Sequence, residues 1–179
     1  MWPVLILILL LLGVFFLYNG LVRLKVQADS AWSDIDVQLK RRYDLVPNLV
    51  ETVKGYATHE RGTLEAVVAA RSRAMSAQGP AARAEAENAL TGALKSLFAL
   101  AEAYPQLRAA ENFGALQKHL ADIEDAIQNA RRYYNAVVRD LNTRIMQFPS
   151  NLVARTFGFR EREFFEMEAG ERSAPRVIF

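Results

Sequence analysis

The sequence predicts an all-α protein: an N-terminal transmembrane helix followed by an antiparallel four-helix bundle of long helices. Three observations carry that reading. The run from Trp2 to Tyr18 is apolar and contains no charged side chain, a length at the short end of what crosses a bilayer core as a helix. Between Glu111 and Phe148, apolar residues step by alternating threes and fours over about five heptads. Alanine, leucine, glutamate and arginine dominate the middle of the chain, while β-branched runs are short and scattered, a composition suited to helices.

The anchor is the first element. Trp2 and Tyr18 suit the two interfaces of a span whose interior includes Leu10 and Phe16. A cleavable signal peptide would need basic residues before the apolar core and small residues at a cleavage site. Nothing basic precedes this run, and Tyr18-Asn19-Gly20-Leu21 is a poor cleavage sequence. Arg23 and Lys25, followed by Lys40, Arg41 and Arg42, lie on the C-terminal side. That asymmetry places the N-terminus outside and the helical domain in the cytoplasm, as a single-pass inner-membrane protein. The organisation expected is anchor over 1–22, bundle over 23–150 and an aromatic-rich tail over 151–179.

The bundle helices follow in order. Leu21, Leu24, Ala28, Trp32, Ile35 and Leu39 form a stripe on a helix leading from the membrane toward Tyr43. Only Asn19 and Gly20 separate this stripe from the anchor, so the two are expected to form one rod. Pro47 marks the next boundary and suits the first turn of a second helix, which ends at Gln78-Gly79-Pro80. A third helix begins near Pro80 and is closed by Pro105. The fourth carries Phe113, Leu120, Ile127, Tyr134 and Leu141 at intervals of seven, and ends before Pro149. At 1.5 Å per residue it is roughly 55 Å long. It therefore overhangs the third helix, leaving part of its seam open unless the second helix covers it. A short helix is expected after Pro149.

With 22 Lys and Arg against 20 Asp and Glu, the net charge of +2 is too small and too interspersed to point to nucleic acid. The absence of cysteine excludes a disulfide framework and a thiolate metal site. His59-Glu60 begins like a zinc-protease motif, but that chemistry needs a histidine one turn later, and position 63 is Thr63. No Ser-His-Asp or phosphate-loop arrangement is present, so no catalytic residue, cofactor or metal site is assigned.

Other residues are assigned structural or association roles. Glu60 falls on an apolar face between Val53 and Val67, and is read as a buried polar clamp paired with Arg71 or Arg131. Lys40-Arg41-Arg42-Tyr43 reads as a salt-bridge cluster with Asp36 and Asp44. Tyr43, Tyr104, Tyr133 and Tyr134 are candidates for a polar network at one bundle end. Phe157, Phe159, Phe164 and Phe165, with Val177, Ile178 and Phe179, either fold back to cap the bundle or form an assembly or partner contact.

The block Ile35-Asp36-Val37-Gln38-Leu39-Lys40-Arg41-Arg42-Tyr43-Asp44-Leu45-Val46-Pro47-Asn48-Leu49 resembles the LemA family. Val53-Lys54-Gly55-Tyr56, Glu102-Ala103-Tyr104-Pro105, Glu111-Asn112-Phe113, Tyr134-Asn135 and Phe148-Pro149-Ser150-Asn151 extend the resemblance over nearly the whole chain. Gly114 departs from the family pattern, which carries a larger apolar residue there. The resemblance implies a bacterial protein with an N-terminal anchor and a LemA-like helical bundle, and a magnetosome-associated member implies a role in membrane organisation. It implies no catalytic residue and no cofactor. The function expected is a non-enzymatic, membrane-anchored scaffold. It self-assembles through its coiled-coil-like helical domain into a homo-oligomer and organises or shapes the bilayer. The alternative is a monomeric adaptor or regulator of a membrane enzyme such as a protease.

Overall fold

A computed structural model describes residues 1–57 and 59–165. The described residues are helical, with no strand among them. Six helices follow one another: α1 (Trp2–Lys54), α2 (Arg61–Ser76), α3 (Pro80–Glu102), α4 (Pro105–Arg108), α5 (Glu111–Met146) and α6 (Ser150–Thr156). Among the described residues the chain divides into two compact units, residues 1–35 with 129–164, and residues 36–128 with Phe165.

In the first unit, the apolar side chains from Val4 to Phe16 are exposed, and α1 carries a segment long and apolar enough to cross a membrane. The helix then enters a packed core without a break. Phe16 is 67% exposed, whereas Leu21 is fully buried against Val153 and Ala154 of α6, with Leu17, Ile145 and Phe159 around them. Ala28, Ala31 and Ile35 continue the buried face of α1, as expected for neighbours three, four and seven residues apart. α5 runs antiparallel to it: Gln27 donates to the Tyr133 hydroxyl at 2.9 Å, Trp32 lies 5.2 Å from the Tyr134 ring, and Gly20 lies beside Arg144.

In the second unit, α1 continues through Leu39, Tyr43, Val46, Leu49, Val50 and Val53, all buried. The boundary expected at Pro47 lies instead at Gly55–Glu60, and Pro47 sits inside α1. An internal proline costs about 3 kcal/mol by removing a hydrogen bond and crowding the carbonyl four residues earlier. Burying Val46, Leu49, Val50 and Val53 on the stripe that Leu39 and Tyr43 begin contributes about 1.5–3 kcal/mol for each, which outweighs that cost. α2 and α3 pack on each other across a turn at Gly79, whose φ of +82° favours glycine and precedes Pro80 at the first helical position. Leu90, Leu94, Leu97 and Ala101 face the interior from α3, Leu107 from α4 and Phe113 and Leu120 from α5; Phe98 and Phe113 meet at 6.0 Å.

α5, with 36 residues against 23 in α3, is the longer helix as expected, and its seam is not left open. Phe113, Leu120, Ile127, Tyr134 and Leu141 are all buried within the single chain, and only Phe148, beyond the end of α5, is exposed.

Candidate functional site

The site of interest lies in the first unit, where the chain after α6 returns to the helix carrying the apolar segment. Tyr18, Val22, Lys25 and Asp29 recur at spacings of four, three and four, so they share one face of α1. The opposite wall is built by the end of α6. Gly158 adopts a φ of +72°, and the Phe159 N–H reaches back to the Ala154 carbonyl at 2.9 Å. This six-to-one bond with a glycine after the cap is a Schellman closure, which characteristically brings the following apolar residue onto the helix. Phe159 accordingly packs on the Leu21–Val153–Ala154 cluster. Phe157 and Phe159 flank Tyr18, with ring centroids 4.8 and 5.8 Å away.

Residues 160–164 are then held by polar contacts. The Asn142 side chain donates to the Arg162 carbonyl and accepts from the Arg162 N–H, both at 2.9 Å. The Tyr134 hydroxyl donates to the Glu163 carbonyl at 3.0 Å, and the Arg162 guanidinium pairs with Asp29. Burial raises the Tyr134 phenol above its usual range, with Arg162 pulling it back and Glu163 and Asp29 adding to the rise. A cleft of about 610 Å³ lies between the walls, with Tyr18, Val22 and Phe157 on its apolar side and Lys25, Arg160 and Glu161 among its charged residues. Among the described residues neither Lys25 nor Arg160 has an ion-pair or hydrogen-bond partner.

The second unit holds a buried ionic cluster. Arg42 pairs with Glu87 and Glu124 and donates to the Thr91 hydroxyl at 3.0 Å, while the Tyr43 hydroxyl donates to Glu87. Arg42 and Glu87 are both buried. Sequence reasoning assigned the clamp elsewhere. Glu60 is half-buried and accepts from the Tyr104 hydroxyl at 3.2 Å, whereas Arg71 donates to the Tyr43 backbone carbonyl at 2.7 Å, so these two do not pair. Arg131 lies on α5. Glu87 was detectable in principle, because it occupies a step of the apolar stripe that Leu90, Leu94, Leu97 and Ala101 continue.

Within the basic block, Lys40 and Asp44 pair on the surface at 3.4 Å, and Asp36 pairs with Arg83. The four tyrosines do not form one network: Tyr43 and Tyr104 bond carboxylates in the second unit, and Tyr133 and Tyr134 bond residues of the first. Trp2, Leu10 and Phe16 are exposed along the apolar segment. Of the tail residues, Phe157 and Phe159 fold back on Tyr18, Phe164 is exposed and Phe165 is buried. Val177, Ile178 and Phe179 lie outside the described residues. No three His, Asp or Glu side chains converge as a metal site among the described residues.

The profile of the LemA family matches residues 31–179. This chain belongs to the LemA family. Among relatives of this LemA-family chain, the magnetosome protein MamQ of Magnetospirillum gryphiswaldense is 26% identical over 181 residues, covering 86% of the chain and 66% of the relative. MamQ 1 of Paramagnetospirillum magneticum is 25% identical over the same span. The LemA protein of Metamycoplasma hominis is 27% identical over 173 residues, covering 92% of the chain and 78% of the relative. The LemA-family chain thus spans 66% of the length of the MamQ relatives it matches.

Proposed function

We propose that this LemA-family protein is a non-enzymatic, membrane-anchored scaffold whose copies assemble side by side and organise the bilayer. One observation carries the proposal: α1 passes from the exposed apolar segment into the buried core of the first unit without a linker, from Phe16 to Leu21. A helix fixed at both ends transmits the position of the packed unit to its span, so contacts between copies set the spacing of the anchors. The magnetosome membership of the MamQ relatives supports a role at a membrane. The buried seam of α5 directs the contact between copies to the outer faces of the helices, in a bundle read as four-helical and antiparallel. The N-terminus lies outside and the helical domain in the cytoplasm, as Arg23 and Lys25 favour.

The mass of the full chain in detergent and in lipid nanodiscs, measured across a concentration series, tests assembly. A defined oligomer is expected. A monomer at every concentration overturns the scaffold, and a monomer that copurifies stoichiometrically with a membrane protein replaces it by an adaptor. Protease protection of the helical domain in inverted membrane vesicles overturns the orientation.

A further inference from the structure

The α5–α6 corner combines three features that nothing in the scaffold reading uses. Met146, Phe148, Leu152 and Phe157 are between 55% and 74% exposed, a concentration of large apolar side chains that marks an interaction surface. The pairing of α5 with α1 places this surface at a known level. Gln27 meets Tyr133, Gly20 lies beside Arg144, and Leu21 shares a cluster with Ile145. Continuing that antiparallel register sets Met146, the last residue of α5, beside the last turn of the apolar run, and Phe148 follows in the turn that leads into α6. The third feature is charge. Residues 1–28 and 141–160 contain Arg23, Lys25, Arg144, Arg155 and Arg160 and no carboxylate; Asp29, Asp140 and Glu161 stand at their borders, Asp29 already paired with Arg162.

The cleft completes the arrangement. Lys25 stands seven residues past Tyr18, about 10 Å along the helix, a height its flexible stem can span to the headgroup layer. Arg160 lines the same space, together with Tyr18, Phe157, the Arg162–Asp29 pair and Glu161, so three cations stand there against two carboxylates. We propose that the α5–α6 corner is a second membrane contact. Met146, Phe148, Leu152 and Phe157 enter the bilayer interface beside the anchor, and Lys25 and Arg160 hold the phosphate of an anionic phospholipid in the cleft. The chemistry matches that of interfacial segments with an apolar face and flanking cations. This inference rests on the anchor reading, because the level of the corner is set by the span.

The cysteine-free chain permits a direct test on the full-length protein in vesicles. A bimane label on Leu152→Cys reports the corner, and one on Val68→Cys, exposed in the second unit, serves as reference. Trp2, read in a Trp32→Phe background, reports the anchor. Lipids with brominated chains quench only groups that reach the bilayer. The label at 152 is expected to be quenched, more by brominated phosphatidylglycerol than by brominated phosphatidylcholine, and that at 68 spared. Lys25→Gln with Arg160→Gln is expected to weaken that preference by roughly ten-fold, with Trp2 quenching unchanged. An unquenched label at 152 beside a quenched Trp2 overturns the corner and leaves the anchor standing. If the unlabelled Leu152→Cys protein instead forms a disulfide with another copy when an oxidant is added, the corner is a protein interface and the inference is overturned. An unquenched Trp2 overturns the anchor and the inference together. Quenching without lipid preference, or a preference abolished by inorganic phosphate at matched ionic strength, overturns the lipid site in the cleft.

Discussion

The Arg71 side chain donates its Nε–H to the Tyr43 backbone carbonyl at 2.7 Å, and Tyr43 is the residue four before Pro47. Pro47 has no N–H to give that carbonyl, so the proline inside α1 creates the orphan acceptor that Arg71 satisfies. A helix from another part of the chain thereby repairs a defect built into the first.

That relationship predicts a conditional effect of one substitution. Arg71→Met keeps the apolar stem but removes the donor, and is expected to destabilise the protein by about 1–3 kcal/mol. In a Pro47→Ala background the restored backbone N–H bonds the Tyr43 carbonyl itself, and the same substitution is expected to cost far less. Thermal unfolding of the four proteins in detergent, followed by circular dichroism, measures the coupling. Equal costs in the two backgrounds would separate Arg71 from the proline.

The buried pair of Arg42 and Glu87 predicts an asymmetry between single and combined substitution. Removing one partner of a buried pair leaves an uncompensated charge, worth about 3–5 kcal/mol. Glu87→Leu is expected near the lower end, because Glu124 and Thr91 still face Arg42. Arg42→Met with Glu87→Leu and Tyr43→Phe removes the two buried charges and the hydroxyl that bonds Glu87, leaving only the part-exposed Glu124 without its partner, and is expected to recover most of the stability that either single charge removal loses. Denaturant midpoints decide the matter; a combined variant as unstable as the sum of the singles would show that the pair itself supplies net stability.

Much of this was legible locally. Pro80 opens α3 where its fixed φ and missing N–H do no harm, α3 ends just before Pro105, and the seven-residue recurrence of Phe113 to Leu141 is a buried face; the short α4 that Pro105 opens was not read. Pro47 was misread because its outcome depends on Arg71, 28 residues beyond Tyr43, and no local rule sees that far. The burial of Glu87 escaped notice for a related reason. Glu60 and Glu87 both fall on apolar stripes, and which becomes buried depends on where Arg42 stands on another helix. Phe157 and Phe159 showed no helical period because a glycine turn, not a helix, presents them to Tyr18.

Two tyrosines predict the response to alkali. Burial raises the phenols of Tyr43 and Tyr134 above 10.0, although Arg42 and Arg83 draw Tyr43 back. Below the unfolded value both states keep the proton, and the stability these phenols confer is fully present. Above it the unfolded chain releases protons that the folded chain retains, so stability falls as pH rises through the folded values. The melting temperature is expected to be insensitive to these groups up to about pH 10 and to decline beyond it. Tyr134→Phe loses the bond to the Glu163 carbonyl, lowering the plateau by about 1 kcal/mol while making the alkaline decline shallower. An unchanged slope would exclude Tyr134 as a contributor.

Asn142 predicts how firmly the segment after α6 is held. Its amide makes a reciprocal pair of bonds with the Arg162 backbone, a contact that needs one donor and one acceptor on the same side chain. Asn142→Asp retains the shape but faces the Arg162 carbonyl with a carboxylate oxygen, so one bond becomes a repulsion at a buried position. The loss, about 1–3 kcal/mol, falls on the local docking of 160–164 rather than on the helices. Trypsin cuts after Arg160 and Arg162 only when that segment lifts away, so initial cleavage there is expected to accelerate by roughly ten-fold at constant helicity, since about 1.4 kcal/mol corresponds to a factor of ten. Asn142→Ala, which removes both bonds without the repulsion, is expected to fall between the two. If cleavage rates match in all three proteins, the segment is held by the Phe159 and Arg162–Asp29 contacts instead, and Asp29→Asn becomes the variant that releases it.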